Sequence, residues 1–563
     1  GRRLRPGGRG TDPAGHQLAS PGTAGGFFSA SRHPLRLLAL IGSVAVVLGG
    51  VLALTISVRT LATHQVYVEA VVAPVGPSAL SPLLTPSDPV AQAIGGLTGP
   101  GLMVASASGE PKLGLATSWR SVDGGVRYKF TLSSKRRWSN GQPITTKDVA
   151  FTLDVLQSSE FPNPDIAAPW TGVSFYASSL WAGTFVLPGP STSFPTAAED
   201  AMLPAVHYKS QPDLFFRGGQ RTDAQFAPSA GPFRVVGNSA NQVSLARNPY
   251  YRPRPILDGF TLLLEPSSAA VDGLLAQGTV DGWLAATPSD LQGLPAGLVH
   301  SRITTYNFVE LLMNEQSPPL DNLQVRQAIA SSVDRHSLLK NHLAGLGDPQ
   351  YGPLPDSIHW AASASASDSA NYLGSPAKLL KAAGWKRSNS SHLWEKGGQP
   401  LSLTLDVPDL DPLPQAAAGV AAQMDAEGFL VKVKALPEAP FVSGTLAQEK
   451  FQVALVGFDN GPDPDLTSLW SSGLEPGQSL NFSQSAPDLY LNHALEQLAT
   501  ASTAAARQSA YREVSRRLHT DLPAVFLYTP VDVYVHQSSV HVPGVSAVGD
   551  PSQRFSQVVD WSL

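Results

Sequence analysis

Cysteine does not occur anywhere in this chain of 563 residues. Its absence excludes disulfides, thiolate metal sites, a cysteine nucleophile and a lipidated N-terminal cysteine. Charge is also sparse: Asp, Glu, Lys and Arg together make up 15% of the residues, against about a quarter in ordinary soluble proteins. The formal net charge is −5, and the body of the chain has no cluster of Lys and Arg with which to neutralise phosphates. No nucleic-acid partner is expected. His-Glu-x-x-His, Gly-x-Ser-x-Gly and a phosphate-cradling Gly loop are all missing. The 13 His are scattered without ligand spacing, so neither a dedicated metal site nor a cofactor is expected.

Turn chemistry is abundant instead. The 50 Gly and 48 Pro imply many short connections rather than long helices, and the length implies two or three domains. One long apolar run stands out, Leu37 to Val58, uncharged and framed by Arg36 and Arg59. As a helix it would measure roughly 33 Å, enough to cross a bilayer core. Upstream lie Arg2, Arg3, Arg5, Arg9, Arg32 and Arg36 against the single acid Asp12. Positive charge stays inside, so the N-terminus is expected in the cytoplasm and everything after residue 60 outside. This gives a disordered basic tail at 1–35 and a single-pass transmembrane anchor at 36–59. The other reading is a signal peptide cleaved near Thr60-Leu61-Ala62, although such apolar cores usually run only about 7–15 residues.

Periodicity sets the fold class. Val66 to Val72 is β-branched and apolar, and Val126 to Leu132 alternates apolar with polar, so both read as strands. Thr145 or Thr146 caps an amphipathic helix over Val149 to Leu156. Helices are predicted over Gln324–Lys340, Pro376–Gly384, Gln415–Gly428 and Ala486–Leu518, and strands over Leu401–Val407, Leu430–Ala435 and Phe451–Phe458. Pro/Ser-rich stretches near 157–195 and 359–376 read as surface loops. Strands alternating with helices over several hundred residues imply an α/β architecture.

Five segments then occur in a fixed order. The first is Leu115-Ala-Thr-Ser-Trp119 with Asp123-Gly-Gly, Tyr128-Lys-Phe-Thr-Leu132, Trp138-Ser-Asn-Gly-Gln-Pro-Ile144 and Lys147-Asp-Val-Ala-Phe151. The second runs from Gly231-Pro-Phe-Arg-Val-Val236 through Val243 to Tyr251 and Pro255-Ile-Leu-Asp258 to Leu274–Asp281. The third holds Asn314, Pro319 to Ile329, Val333-Asp-Arg335 and Gly352-Pro-Leu-Pro355. The fourth is Ala377 to Trp385, and the fifth is Gly457-Phe-Asp-Asn-Gly-Pro-Asp-Pro-Asp465 with Trp470 and Asn481-Phe-Ser483. Together they resemble bacterial extracellular solute-binding proteins of family 5, the substrate-binding components of peptide and nickel ABC importers, of the dipeptide and oligopeptide type.

The resemblance implies a two-lobed periplasmic-binding-protein-like fold of type II, with lobe I at 65–300, a subdomain inserted at about 100–230, lobe II at 301–530, and a return to lobe I at 531–563. It implies a monomer that encloses a peptide or other small solute between its lobes and docks on ABC permease subunits. Trp119, Trp138, Arg326 and Asp334 read as scaffold, serving turns and helix caps. The expected ligand wall is Phe458, Asp459, Asn460 and Trp470. In peptide-binding relatives an Asp before the Asp-Pro-Asp phrase pairs with the ligand's α-amino group. Counting back from Asp463 gives Asn460, whereas one inserted residue gives Asp459. Dipeptide-type relatives hold the ligand carboxylate with an Arg, but Leu401 to Val431 has no Lys or Arg and offers Asp406, Asp409 and Asp411. A longer peptide, or a cationic or uncharged ligand, fits better than a dipeptide.

Other classes have little to stand on. Ser375-Pro-Ala-Lys378 has the S-x-x-K form of acyl-serine enzymes, but the third element of that site is missing and Ser375 also suits a helix cap. No enzyme is expected. A binder of a metal chelate or a sugar-like solute, or a membrane-tethered sensor without a transporter, would carry the same sequence features.

Overall fold

In the computed structural model, which describes residues 65–563 apart from 74–78, 107–109, 219–225, 359, 362–373, 459–465, 473–487, 502 and 546–548, the chain opens with strand β1 (Val66–Val72) and helix α1 (Pro89–Thr98). The Asp88 carboxylate caps α1, accepting from the N–H groups of Val90 and Ala91 at 2.8 and 3.1 Å. Next come β2 (Ala116–Val122), β3 (Arg127–Leu132), α2 (Thr146–Leu156), β4 (Ser174–Ser179) and β5 (Ala182–Val186). These four strands form their own sheet in the order β2-β3-β5-β4. Exposed and buried residues alternate along the whole of β3, the signature of a half-buried strand. Its Tyr128, Phe130 and Leu132 share a core with Trp138, Phe151, Trp170 and Phe185. The 157–195 stretch is therefore not all loop. Phe175 on β4 and Phe185 on β5 lie 5.9 and 5.4 Å from the Phe130 ring, and this aromatic packing overrides a turn-rich composition.

Local signals upstream of α2 act as read. Asn140-Gly141 makes the turn: Gly141 has φ +88° and donates its N–H to the Trp138 carbonyl at 2.8 Å. Thr145 and Asp148 close a capping box, with Asp148 Oδ2 accepting from the Thr145 N–H at 2.8 Å.

The chain continues through β6 (Phe233–Ser239), β7 (Gln242–Arg247), β8 (Gly259–Glu265), β9 (Gly282–Ala285), β10 (Val299–Thr304) and β11 (Phe308–Met313). Helices α3 (Leu323–Ser332), α4 (Arg335–His342) and α5 (Pro376–Ala382) follow, then β12 (Ser402–Pro408), α6 (Leu413–Ala426), β13 (Leu430–Leu436) and β14 (Val453–Phe458). Last come α7 (Leu466–Trp470), α8 (Leu489–Thr500), α9 (Ala504–Asp521) and β15 (Ala524–His536). Two long helical readings break in the middle. Val333 is extended and Asp334 caps α4 through the Ser337 N–H at 3.1 Å, so Gln324–Lys340 is two helices. Likewise Ala501 is extended and Thr503 caps α9, dividing the helix predicted to end at Leu518.

Among the described residues the main sheet has twelve strands, ten of them in the order β13-β12-β14-β11-β15-β9-β1-β8-β7-β6. Strand β15 joins its two halves. The first part of β15 pairs antiparallel with β11, and the last part pairs with β9 and β10. The chain crosses between the halves again at 305–307, from β10 into β11. Parallel pairings β1–β8 and β12–β13 mark the α/β character.

Strand β11 is buried along its whole length because both faces are covered. Val309, Leu311 and Met313 enter one core with residues of α3, α4 and α6, while Phe308 and Leu312 enter a second with residues of α7, α8 and α9. In the other half, Arg554 Nη2 meets Glu69 Oε1 at 2.5 Å, and the Tyr534 hydroxyl donates to Glu69 Oε2 at 2.7 Å. This fully buried group ties β1, β15 and the C-terminal segment together. Residues His64–Leu563 form one unit. The candidate span Leu37–Val58 and the tail before it lie outside the described residues. Among the described residues no helix is long and apolar enough to cross a membrane.

Candidate functional site

Chemistry between the two halves starts from strand ends. Phe458 is the last residue of β14 and lies directly opposite Phe308 on β11, with ring centroids 5.3 Å apart. It is half-buried and packs on the core of α7 to α9. The next two residues, Asp459 and Asn460, lie outside the described residues.

Trp470 is placed differently from its reading as a ligand-facing residue. Its ring is 2% exposed and lies edge-on to Phe526, with centroids 5.9 Å apart, inside the core that holds Leu466 and Leu469. Five residues of α7 turn the apolar side of that helix inward, and the indole goes with it.

The acids of the β12 region separate into two kinds. Asp406 sits within β12, is 4% exposed, and faces Lys434 Nζ at 3.6 Å. Burial pushes its carboxyl up and Lys434 opposes that shift. Asp409 and Asp411 are exposed. The Ser289 hydroxyl, beyond β9, donates to Asp411 Oδ2 at 3.2 Å and so bridges the two halves.

The crossover itself carries residues that the sequence reading passed over. Gly549 donates its N–H to the Thr304 carbonyl at 2.7 Å, and a Cβ on Gly549 would come within 2.6 Å of the Tyr306 ring. Tyr306 therefore lies directly under the C-terminal turn. Asp550 follows Gly549 and caps the last helical segment through the Ser552 N–H at 2.7 Å. Asp532 on β15 pairs in register with Ile303 of β10, and the charge of Glu199 adds to the burial that raises the Tyr306 hydroxyl. These acids stand far apart in sequence and follow no motif, so only the fold reveals them as neighbours.

The scaffold residues bear structure. Arg326 is buried and donates to the carbonyls of Leu320 at 2.8 Å and Asp521 at 2.6 Å. Trp138 is buried, and Trp119 packs against the same core. Ser375 caps α5, its hydroxyl accepting from the Lys378 N–H at 3.4 Å, which is the work of a cap rather than of a nucleophile. Among the described residues no group of three or more His, Cys, Asp or Glu is arranged to hold a metal ion.

Comparison with known proteins agrees with this architecture. Protein XP55 of Streptomyces lividans is 27% identical over 444 residues, covering 77% of this chain and 79% of that protein. The oligopeptide-binding protein AppA of Bacillus subtilis is 23% identical over 432 residues, covering 74% and 78%. Its structure in complex with a nonapeptide superposes with a TM-score of 0.66 at 19% identity, covering 89% of this chain and 99% of that one. NikZ of Campylobacter jejuni, solved with Ni(L-His), gives a TM-score of 0.68 at 21% identity, covering 88% and 99%. These likenesses show the two-lobed periplasmic-binding-protein-like fold. The family model for bacterial extracellular solute-binding proteins, family 5 (middle region), matches residues 110–479, and the chain accordingly belongs to that family.

Proposed function

We propose that the chain captures peptides, oligopeptides rather than dipeptides, between its lobes and delivers them to the permease of an ABC importer. One observation carries this reading: both half-sheets share β15, and the halves touch again through Ser289 and Asp411. Two lobes on a common strand can close over a solute, and an extended peptide held by main-chain hydrogen bonds is bound largely without regard to sequence. The likeness to AppA, whose structure holds a nonapeptide, supports the peptide reading. The lack of Lys and Arg from Leu401 to Val431 favours oligopeptides over dipeptides.

On this reading lobe I spans 65–300 with a subdomain at about 100–230, lobe II spans 301–530, and 531–563 returns to lobe I. Asp459 supplies the carboxylate that pairs with the peptide's ammonium, beside Phe458 and Asn460. The protein works as a monomer outside the cytoplasm, held at the membrane by the helix at 36–59. A second reading, capture of a metal chelate, draws on the likeness to NikZ.

Calorimetric titration with a pool of tri- to hexapeptides tests the proposal, run beside Asp459→Ala and a nickel–histidine control. Peptide heat that the variant loses supports peptide capture with an amine-pairing carboxylate. Silence toward peptides with heat from the chelate would replace the first reading by the second.

A further inference from the structure

The four-stranded sheet β2-β3-β5-β4 is covered on one face only. Tyr128, Phe130 and Leu132 of β3 and Phe185 of β5 enter a core, while the alternate residues of β3 point outward. The register defines one row across that outer face. Arg120 on β2 lies opposite Lys129 on β3, Lys129 opposite Thr184 on β5, and Thr184 opposite Tyr176 on β4. Arg120 and Lys129 are exposed, and Tyr176 is 62% exposed. The strands carry Arg120, Arg127 and Lys129 and no acid at all. Asp123, in the turn after β2, answers Arg127 at 3.0 Å. Among the described residues Arg120 and Lys129 have no ion pair.

Like charges directly opposite on neighbouring strands repel and lower stability, so the Arg120–Lys129 pair has a cost that an external anion would relieve. Further basic groups flank the pair: Lys135, Arg136 and Arg137 follow β3, and Lys147 stands in the first turn of α2. The Thr146 N–H donates to the Leu180 carbonyl at 3.0 Å, which brings the start of α2 to the turn between β4 and β5. The expectation that the body of the chain lacks a Lys/Arg cluster fails here, because strand pairing assembles one from alternate residues. The face is an open sheet with fixed cations and an exposed phenol ring, and a tyrosine of that kind suits a bilayer interface.

We propose that this outer face docks on the anionic lipid headgroups of the membrane that holds the protein, with Arg120 and Lys129 on the phosphates and Tyr176 among the headgroups. The proposal rests on the reading of 36–59 as a membrane anchor. Seven residues separate Val58, the end of the apolar run, from Val66, the start of β1. Fully extended they reach roughly 25–30 Å, so the tether keeps a basic face close to the bilayer surface. Each Lys or Arg near an anionic leaflet strengthens such a contact about fivefold.

The test uses the full chain, reconstituted into vesicles of phosphatidylcholine alone or mixed with phosphatidylglycerol. Because the chain has no cysteine, Ser174→Cys on the exposed strand β4 gives a single attachment point for a fluorophore, and quencher-bearing lipid reports its approach. Quenching should be stronger with phosphatidylglycerol and should weaken at high salt, which screens exposed charges. In the double variant Arg120→Gln/Lys129→Gln the ratio of docked to free protein should fall about twentyfold. That variant should unfold at the same or a higher temperature, since it relieves a like-charge pair. The lipid and salt dependence is read on the labelled protein without further change, so the test stands even if the double variant fails to fold.

Equal quenching in neutral and anionic vesicles, or charge-dependent quenching that the double variant keeps, would overturn the docking face and leave the anchor standing. Protein that does not float with neutral vesicles, yet floats with phosphatidylglycerol vesicles in a way the variant loses, would remove the anchor and support the face. A label that answers soluble polyphosphate but no vesicle would overturn lipid as the occupant.

Discussion

The Ser289 hydroxyl donates to the Asp411 carboxylate at 3.2 Å, joining the turn after β9 to the turn after β12 and thereby one half of the sheet to the other. Both residues are exposed, so the bond is weak, yet it marks where the lobes meet. Because the chain has no cysteine, Ser289→Cys with Asp411→Cys introduces the only two thiols. The pair should form a disulfide on mild oxidation, faster with bound solute, and oxidation should slow solute release. The single Asp411→Ala variant should weaken solute binding by about threefold, measured by calorimetry.

Glu310 lies inside β11 with 1% exposure, and its Oε2 has no partner among the described residues. Burial alone holds its carboxyl well above the ordinary range. An acid raised in the folded state binds its proton more tightly there, so its cost is absent at low pH and grows as pH rises above the unfolded value. Glu310→Gln should therefore stabilise the protein by about 1–3 kcal/mol at pH 8 and by much less near pH 4. Thermal unfolding at the two pH values checks this.

The same sign applies to Glu199, Asp200 and Asp532, raised to about 8, 7 and 7, in each case chiefly by burial. Without solute, the protein should unfold at a higher temperature near pH 5.5 than near pH 8.

Arg554 and Glu69 form a buried ion pair. Removing one partner leaves an uncompensated charge, so Arg554→Met should cost about 3–5 kcal/mol, and the double variant with Glu69→Leu should recover much of it. Chemical denaturation of both variants measures the difference.

At the head of α2, Thr145→Ala should cost about 1 kcal/mol through the lost cap. Asp148→Ala should cost more, because Asp148 also accepts from the Ala205 N–H at 3.0 Å and so ties the helix to the next segment. The two unfolding midpoints order these effects.

The elements with a local cause were legible. Alternation fixes β3, the Thr145 cap starts α2 and Asn140-Gly141 turns the chain, because each signal lies within a few residues. The breaks at Val333 and Ala501 were missed because helical periodicity runs on through both, and only the caps Asp334 and Thr503 betray them. Strands β4 and β5 were hidden by Pro and Ser on either side, their stability coming from Phe130 on another strand. Phe458 ends a readable strand, whereas the burial of Trp470 depends on how α7 packs. The neighbourhood of Glu199, Asp532 and Asp550 is purely tertiary and leaves no trace in the sequence.

The central claim, capture of peptides between the lobes, is tested most directly by identifying what the protein carries. The full chain, purified without denaturation and then extracted in acid, should release peptides several residues long and of mixed sequence, about one per chain, in mass spectrometry. Stoichiometric release of a single non-peptide species, such as a nickel chelate, would contradict the account.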